Sequence, residues 1–271
     1  MSAGAQTRIL TRRDMATAET YPLAAGYVAV FSTRCPGKES ENEDAAAVLP
    51  VDENRAVLAV ADGLGGHPFG AEASELALKT LRECVMGAAT TGALLRSAVL
   101  DGFERANARV AELGVGAATT MAAVEIDGST VRPYHVGDSM ILVVGQRGKV
   151  KLLTVSHSPV GYAVEVGLLD ESEAIYHEDR HLVSNIVGSP DMRIEIGPRL
   201  GLRPRDTLVL SSDGLCDNLS LKEITEFVRK GPSSEVAADL AGACDRRMRA
   251  RESAHPCKPD DLTFLVYRGH R

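Results

Sequence analysis

An apolar run that ends on a single aspartate most constrains how this chain can fold. Residues 57–62 read VLAVAD, and three glycines follow Asp62 within four residues. The run predicts a buried β-strand, because it is short, continuous and rich in β-branched residues. The glycines keep side chains away from the next backbone atoms. Asp62 therefore places a charge at the end of a buried strand, which is costly unless the charge is paired.

Further apolar runs predict a chain of mixed strands and helices. Strands are predicted from β-type runs at Gly26–Phe31, Ala56–Ala61, Met121–Ile126, Met140–Val144, Val150–Val155, Thr207–Ser211 and Leu262–Tyr267. Helical spacing predicts helices over residues 72–85, 94–113 and 234–249, and a capping box at residues 220–223 predicts the start of another. Strands, two long helices, more strands, two helices and a last strand indicate an α+β protein.

Composition narrows the class of partner and the compartment. The net charge of −7 argues against nucleic acid and anionic membranes, since both attract basic surfaces. No apolar run approaches the roughly 18 residues of a membrane span. The five cysteines form no CxxC pair, so we expect reduced thiols in a cytoplasmic protein. We expect a loosely ordered tail over residues 1–23 and a single domain over residues 24–268.

Acidic residues recur where predicted strands begin or end. All but Asp217, which stands four residues after Asp213, are flanked by glycine or by another acid: Glu43, Asp44, Asp62, Asp138, Asp213, Asp217, Asp260 and Asp261. Carboxylates brought together repel one another, and burial adds to the cost. A divalent cation removes that conflict, and carboxylate, carbonyl and water oxygens are the ligands that magnesium and manganese favour. The pattern predicts a metal site formed by acids that are distant in sequence.

The same segments, in order, resemble the metal-dependent protein serine/threonine phosphatases (PPM type) in their bacterial form. The resemblance covers about residues 26 to 267 and is carried by ENEDA at 41–45, ADGLGGH at 61–67, GAATTMAA at 116–123, HVGDSM at 135–140, TVSHSPV at 154–160, LVLSSDGLCDNL at 208–219 and PDDLTFLVY at 259–267. It implies a sandwich of two antiparallel β-sheets flanked by helix pairs. It also implies hydrolysis of phosphoserine and phosphothreonine by a water that bridges two Mn²⁺ or Mg²⁺ ions.

The resemblance also implies roles for individual residues. Asp62, the Gly63 carbonyl, Asp213 and Asp260 match metal ligands, and Asp138 and Asp217 match acids near a third, weaker metal position. The catalytic pair Glu43 and Asp44 matches residues that hold metal-bound waters. Relatives often have asparagine at the position of Asp261, which is expected to contact the metal ligands rather than the metal. His67 and His157 are candidates for protonating the leaving group. Phosphorylated proteins are the expected substrates, with a cognate serine/threonine kinase as a partner.

One position departs from the family pattern at the phosphate. Relatives usually carry an arginine five residues before the aspartate that matches Asp44, and Glu39 stands there in this chain. We expect Lys38, with Arg34 nearby, to bind the substrate phosphate instead. Met140 likewise stands where arginine is common, which is expected to alter a local salt bridge.

Two other functions compete with this interpretation. Residues 177–181 read HEDRH and fit the HExxH signature of zinc peptidases, in which two histidines on one helical face bind zinc. Glu195 is the candidate third ligand. The missing arginine alternatively suits a catalytically weak relative that binds phosphoproteins or acts as a scaffold. Manganese-dependent hydrolysis of an aryl phosphate separates an enzyme from a binding protein.

Overall fold

Two antiparallel β-sheets pack face to face in the computed structural model, which describes residues 6–64, 69–114, 116–250 and 257–269. The first sheet has the order β1 (Arg8–Thr11), β4 (Asp44–Pro50), β5 (Arg55–Asp62), β6 (Met121–Asp127), β7 (Thr130–Val136) and β10 (Glu195–Ile196), and β11 (Leu200–Gly201) also pairs with β7. The second has the order β2 (Glu19–Leu23), β3 (Gly26–Thr33), β13 (Leu262–Gly269), β12 (Thr207–Ser211), β8 (Met140–Val144) and β9 (Val150–Leu153).

Helices cover the outer face of each sheet. The first sheet is covered by α1 (Gly70–Thr91) and α2 (Leu95–Ala111), and the second by α6 (Leu221–Val228) and α7 (Ser233–Arg249). Shorter elements lie in the connections: α3 (Pro159–Glu165), α4 (Glu171–Ala174), a 3₁₀ turn (Glu178–His181) and α5 (Asp213–Cys216). None of the described helices is long and apolar enough to cross a membrane. The layers are those predicted from the resemblance.

Strand β4 shows how the sequence builds these layers. Ala46 and Val48 face the core shared with the second sheet, whereas Ala45, Ala47 and Leu49 face the core under α1 and α2. Successive side chains of a strand point to opposite faces, so a strand between two apolar layers has to be apolar throughout. Strand β5 follows the same rule, since residues 56–61 are fully buried. A continuous apolar run is thus typical of a strand at the centre of the molecule, and it predicted β5, whereas the alanine-rich run of β4 was not among the predicted strands.

The predicted capping box is confirmed at the start of α6. The Ser220 hydroxyl accepts a hydrogen bond from the Glu223 amide at 3.3 Å, and the Glu223 carboxylate accepts one from the Ser220 amide at 2.9 Å. These two contacts satisfy backbone donors that a helix start leaves free. Helix α6 begins at Leu221 as a result.

The expectation of a loosely ordered tail is wrong for residues 8–23. Strand β1 pairs with β4, and β2 pairs with β3, so this segment adds an edge strand to each sheet. Leu10, Met15 and Leu23 are buried in the main core. Both strands are short and partly polar, which explains why the apolar pattern did not predict them. The rest of the expected division, a single domain over residues 24–268, stays a prediction.

Strand β7 was also not predicted, because Pro133 lies in the middle of it. Its outer neighbours explain why a proline fits there. Strand β10 pairs with Tyr134 and His135, and β11 pairs with Thr130 and Val131. Residues 132–133 lie between these two short ladders and pair with neither β10 nor β11. The nitrogen of Pro133, which carries no hydrogen, therefore interrupts neither ladder.

Candidate metal centre

The predicted acidic residues meet at one edge of the sandwich, and the antiparallel pairing explains why. In an antiparallel pair, the end of one strand lies beside the start of its partner. Asp44 begins β4 directly opposite Asp62, which ends β5. In the second sheet, Asp213 follows the end of β12, and Asp260 precedes the start of β13. Asp138 lies in the connection from β7 in the first sheet to β8 in the second.

Two neighbouring threonines fix the end of β5. The Asp62 carbonyl accepts hydrogen bonds from the Thr120 amide and the Thr119 hydroxyl, both at 2.8 Å, and the Asp62 amide donates to the Thr120 hydroxyl at 3.1 Å. The Thr120 hydroxyl also lies 2.6 Å from that of Ser139, beside Asp138. Thr119 and Thr120 therefore position the backbone of Asp62. Thr120 also contacts Ser139, the residue next to Asp138.

Gly63 is required by close backbone packing. A Cβ atom at this position would lie 2.2 Å from the Gly70 carbonyl oxygen at the start of α1 and 2.9 Å from that of Glu43. Only glycine allows this approach. For Gly63, the contact that excludes a side chain is with protein backbone, and Gly65 and Gly66 lie outside the described residues.

Lys258 connects three acids of the second sheet. Its Nζ atom donates a hydrogen bond to Asp213 at 2.6 Å and lies 2.9 Å from Asp217 Oδ2 and 3.1 Å from Asp260 Oδ2. Burial opposes the charge of this lysine, but the carboxylates, with Asp213 first, raise the pKa of Lys258 above its usual range. The three acids thus lie around one ammonium group.

Lys38 makes a similar connection near the first sheet. Its Nζ atom donates hydrogen bonds to Glu43 Oε2 and Asp261 Oδ2, both at 2.7 Å. Asp261 is 4% exposed and also accepts hydrogen bonds from the Cys35 and Glu43 amides, both at 2.8 Å. Asparagine would turn its amide donors toward at least one of these donors. The aspartate at 261 therefore suits a lysine at 38.

The acids between these two lysines have no such partner. Asp44, Asp62 and Asp138 form no salt bridge within the part of the chain that the structure describes. Asp44 accepts a hydrogen bond from Ser212 at 2.7 Å through Oδ2, while its buried Oδ1 has no hydrogen-bond partner. Ser212 follows β12, so this contact joins the two sheets at the site.

Electrostatics places the unpaired acids in one group. Burial and the nearby charges of Asp44, Asp213, Asp260 and Asp138 raise the pKa of the Asp62 carboxyl well above its usual range. The charge contributions arise only when the carboxylates are close, so the structure brings the predicted acidic metal ligands together.

The pKa values of two further unpaired acids, Asp44 and Asp138, are raised for the same reasons. Burial, followed by the charge of Asp261, raises the pKa of Asp44 well above its usual range. Burial, followed by the charges of Asp213 and Asp217, raises the pKa of Asp138 to about 8. A bound cation would favour the ionised form of all three groups.

Three more residues that the sequence analysis singled out have separate outcomes. Arg34 pairs with Asp14 at 3.2 Å and donates to the Glu39 carbonyl at 3.4 Å, and neither is one of the clustered acids. His67 lies outside the described residues. Met140 is buried in the main core and replaces a charged side chain by apolar packing.

His157 is a structural residue. It is 3% exposed, its Nδ1 accepts hydrogen bonds from the Gly137 amide at 3.1 Å and from Asn185 at 2.9 Å, and its Nε2 lies 3.1 Å from Glu195. Both ring nitrogens are occupied, so His157 is not placed to protonate a leaving group. The ring instead fixes Gly137, next to Asp138.

The zinc-peptidase alternative is wrong for residues 177–181. Only Glu178–His181 forms a helical turn, and it is a 3₁₀ turn preceded by His177. A 3₁₀ turn has three residues per turn, so residues four apart do not share a face. Glu195, the candidate third ligand, contacts His157 instead.

Sequence reasoning missed two basic residues at the site. Lys258 lies only two positions before Asp260, and that proximity was the available signal. Arg180 lies in the 3₁₀ turn with its Nε atom 3.9 Å from Asp217, and that buried atom has no hydrogen-bond partner. Its signal was the His-x-x-Arg pattern that relatives often show in this segment.

Comparisons with known proteins agree with the geometry. A sequence model of the protein phosphatase 2C family matches residues 33–251. The protein phosphatase PhpP of Streptococcus pneumoniae is 31% identical over 201 residues, which span 70% of this chain and 80% of that protein.

Solved structures extend the similarity to the fold. The serine/threonine phosphatase of S. agalactiae has a TM-score of 0.74 and 26% identity, covering 90% of this chain and 99% of that one. The catalytic domain of the serine/threonine protein phosphatase PstP in complex with two manganese ions has a TM-score of 0.70 and 25% identity, covering 90% and 98%.

Proposed function

This chain belongs to the protein phosphatase 2C family, and on that premise we propose that the acids gathered at the sandwich edge form its active site. The protein is a metal-dependent phosphatase of phosphoserine and phosphothreonine with a dinuclear metal site. The observation that carries the assignment is the group formed by Asp44, which is buried, and by Asp62 and Asp138, which are partly buried, because none of the three has a cation partner among the described residues.

The donor set fits divalent metal ions. Hard cations such as Mn²⁺ and Mg²⁺ prefer carboxylate, carbonyl and water oxygens, and the orphaned Oδ1 of Asp44 is a buried acceptor that still needs a donor. We propose Asp62, the Gly63 carbonyl, Asp213 and Asp260 as the ligands of the two ions, and Asp138 and Asp217 as the acids of a third position. When bound, the ions supply Lewis acidity and a water nucleophile near neutral pH.

The other residues orient the reactants. Glu43 and Asp44 would accept hydrogen bonds from waters bound to the ions, and the hydrogen bond from the Ser212 hydroxyl holds the Asp44 carboxylate in place. Lys38 has three N–H donors, two of which contact Glu43 and Asp261, so the third is free to donate to a phosphate oxygen. Lys38 is therefore preferred over Arg34 as the phosphate-binding residue.

Hydrolysis of an aryl phosphate and of a phosphothreonine peptide tests the assignment. We expect turnover with Mn²⁺ or Mg²⁺, loss of turnover with EDTA, and a decrease by orders of magnitude in Asp62→Asn. Asp239→Asn is the matched control, because Asp239 is exposed on α7 and the change in charge is the same. Full activity of Asp62→Asn would refute the site, and absence of metal-dependent turnover in the unaltered protein would favour the scaffold alternative.

The proposal extends to the physiological metal ion, the partner kinase and the location in the cell. Manganese is the proposed physiological ion, supported by the PstP complex with two manganese ions, and the ratio of turnover with Mn²⁺ to turnover with Mg²⁺ tests it. The phosphoprotein substrates imply a serine/threonine kinase as a functional partner, which a kinase–phosphatase cycle on one substrate would reveal. A cytoplasmic location is proposed from the free cysteines among the described residues, and cell fractionation tests it.

A further inference from the structure

The ammonium group of Lys258 lies among three carboxylates of the site. Its ammonium nitrogen lies within 3.1 Å of oxygens from Asp213, Asp217 and Asp260, two of which are proposed metal ligands. Only the contact with Asp213 is a hydrogen bond, so charge accounts for the other two. Such an arrangement, one cation surrounded by carboxylate oxygens, is also what a divalent ion requires.

The backbone of Lys258 is held in place by a buried side chain. Asn218 is fully buried, and its amide donates to the Lys258 carbonyl at 2.8 Å and accepts from the Lys258 amide at 3.0 Å. Asn218 also donates to the Gly214 carbonyl at 3.0 Å, which ties Lys258 to the turn that carries Asp213. The lysine is therefore anchored to the same short segment as its partners.

We propose that Lys258 is an internal counter-ion that competes with a divalent metal ion for Asp213, Asp217 and Asp260. This inference rests on the proposed metal site. Without metal, the ammonium group offsets the repulsion between the three carboxylates and stabilises the fold. When an ion binds, ammonium and ion repel each other across a few ångströms, so Lys258 has to move away and the affinity for metal is lower than the acids alone would give.

Lys258→Met tests this proposal, because methionine keeps an unbranched stem of similar length and removes the charge. Calorimetric titration with Mn²⁺ should show a dissociation constant at least about tenfold lower than that of the unaltered protein. The metal-free variant should melt at a lower temperature, and the gain in melting temperature on adding Mn²⁺ should be larger. Lys149→Met is the matched control, since Lys149 is exposed and should leave all three quantities unchanged.

Two outcomes would overturn the proposal. Equal or weaker Mn²⁺ binding by Lys258→Met, titrated at a temperature at which circular dichroism shows that the metal-free variant is folded, would overturn the competition. If Lys258→Met does not fold without metal, Lys258→Gln, which removes the charge and keeps a hydrogen-bond donor, takes its place in the same titration. The same titration on Asp62→Asn distinguishes failure of the metal-site assignment from failure of the competition by Lys258. Undiminished Mn²⁺ binding by that variant would overturn the site assignment and the role of Lys258 together.

Discussion

Two groups of carboxylates share one edge of the sandwich and differ in their counter-charges. The outer group is paired with lysines: Asp213, Asp217 and Asp260 with Lys258, and Glu43 and Asp261 with Lys38. The inner group, Asp44, Asp62 and Asp138, has no salt bridge to any basic residue that the structure describes.

The difference separates acids that have a counter-charge without metal from acids that depend on an external cation for one. A carboxylate held by a lysine and by backbone amides supports the fold whether or not a ligand is bound. A buried carboxylate without a counter-charge destabilises the fold and is retained where function requires it. The inner acids are thus the part of the site that depends most on an external cation, and each experiment below compares the two groups.

The largest expected difference is in catalysis. Asp44→Asn should lower kcat/KM by about 100-fold, because it removes charge from the inner group, while Glu43→Gln should lower it by about tenfold. Both are carboxylate-to-amide changes at adjacent positions, so each serves as the control for the other. Steady-state kinetics with saturating Mn²⁺ provides the measurement, and equal losses would contradict the division into two groups.

Within the outer group, a change at Asp261, which is not a proposed metal ligand, should act mainly on stability. Asp261→Asn should lower the free energy of unfolding by about 1–3 kcal/mol, because an amide cannot accept from the Cys35 amide, the Glu43 amide and Lys38 together. Urea denaturation measures the change. Asp239→Asn on the exposed face of α7 should change the same quantity by less than about 0.5 kcal/mol. If both variants unfold alike, Asp261 does not support the site in the proposed way.

The smallest expected effect is the pH dependence of stability without metal. Acids whose pKa is raised in the folded state bind more protons when folded, so stability falls as pH increases between the unfolded pKa and the folded one. For Asp138, with a pKa of about 8, this window extends from about pH 4 to about pH 8. The melting temperature of the EDTA-treated protein should therefore fall by several degrees from pH 5 to pH 8.

Saturating Mn²⁺ supplies the control for that measurement. The ion favours ionised carboxylates, so the slope of melting temperature against pH should become flat or change sign. A slope that is unaffected by Mn²⁺ would mean that the inner acids are not its origin.

Local patterns were sufficient to predict much of the fold. Strands β8 and β12 have the predicted limits, and the capping box marks the start of α6, because these signals depend on neighbours within a few residues. Strands β1, β2, β4, β7, β10 and β11 were missed. Most of these are short, polar or interrupted by proline, whereas β4 is rich in alanine, which has a low preference for strands. Their pairing depends on partners elsewhere in the chain.

The sequence by itself determined which residues are acidic, that they stand at the ends of apolar runs, and the order of motifs that indicated the family. Tertiary structure decided which of those acids have a counter-charge. Lys38 and Asp261 are 223 positions apart, and Lys258 and Asp213 are 45 apart. Closure of the two sheets determines which charges become neighbours, because electrostatic interactions depend on distance in space and on burial rather than on separation along the chain.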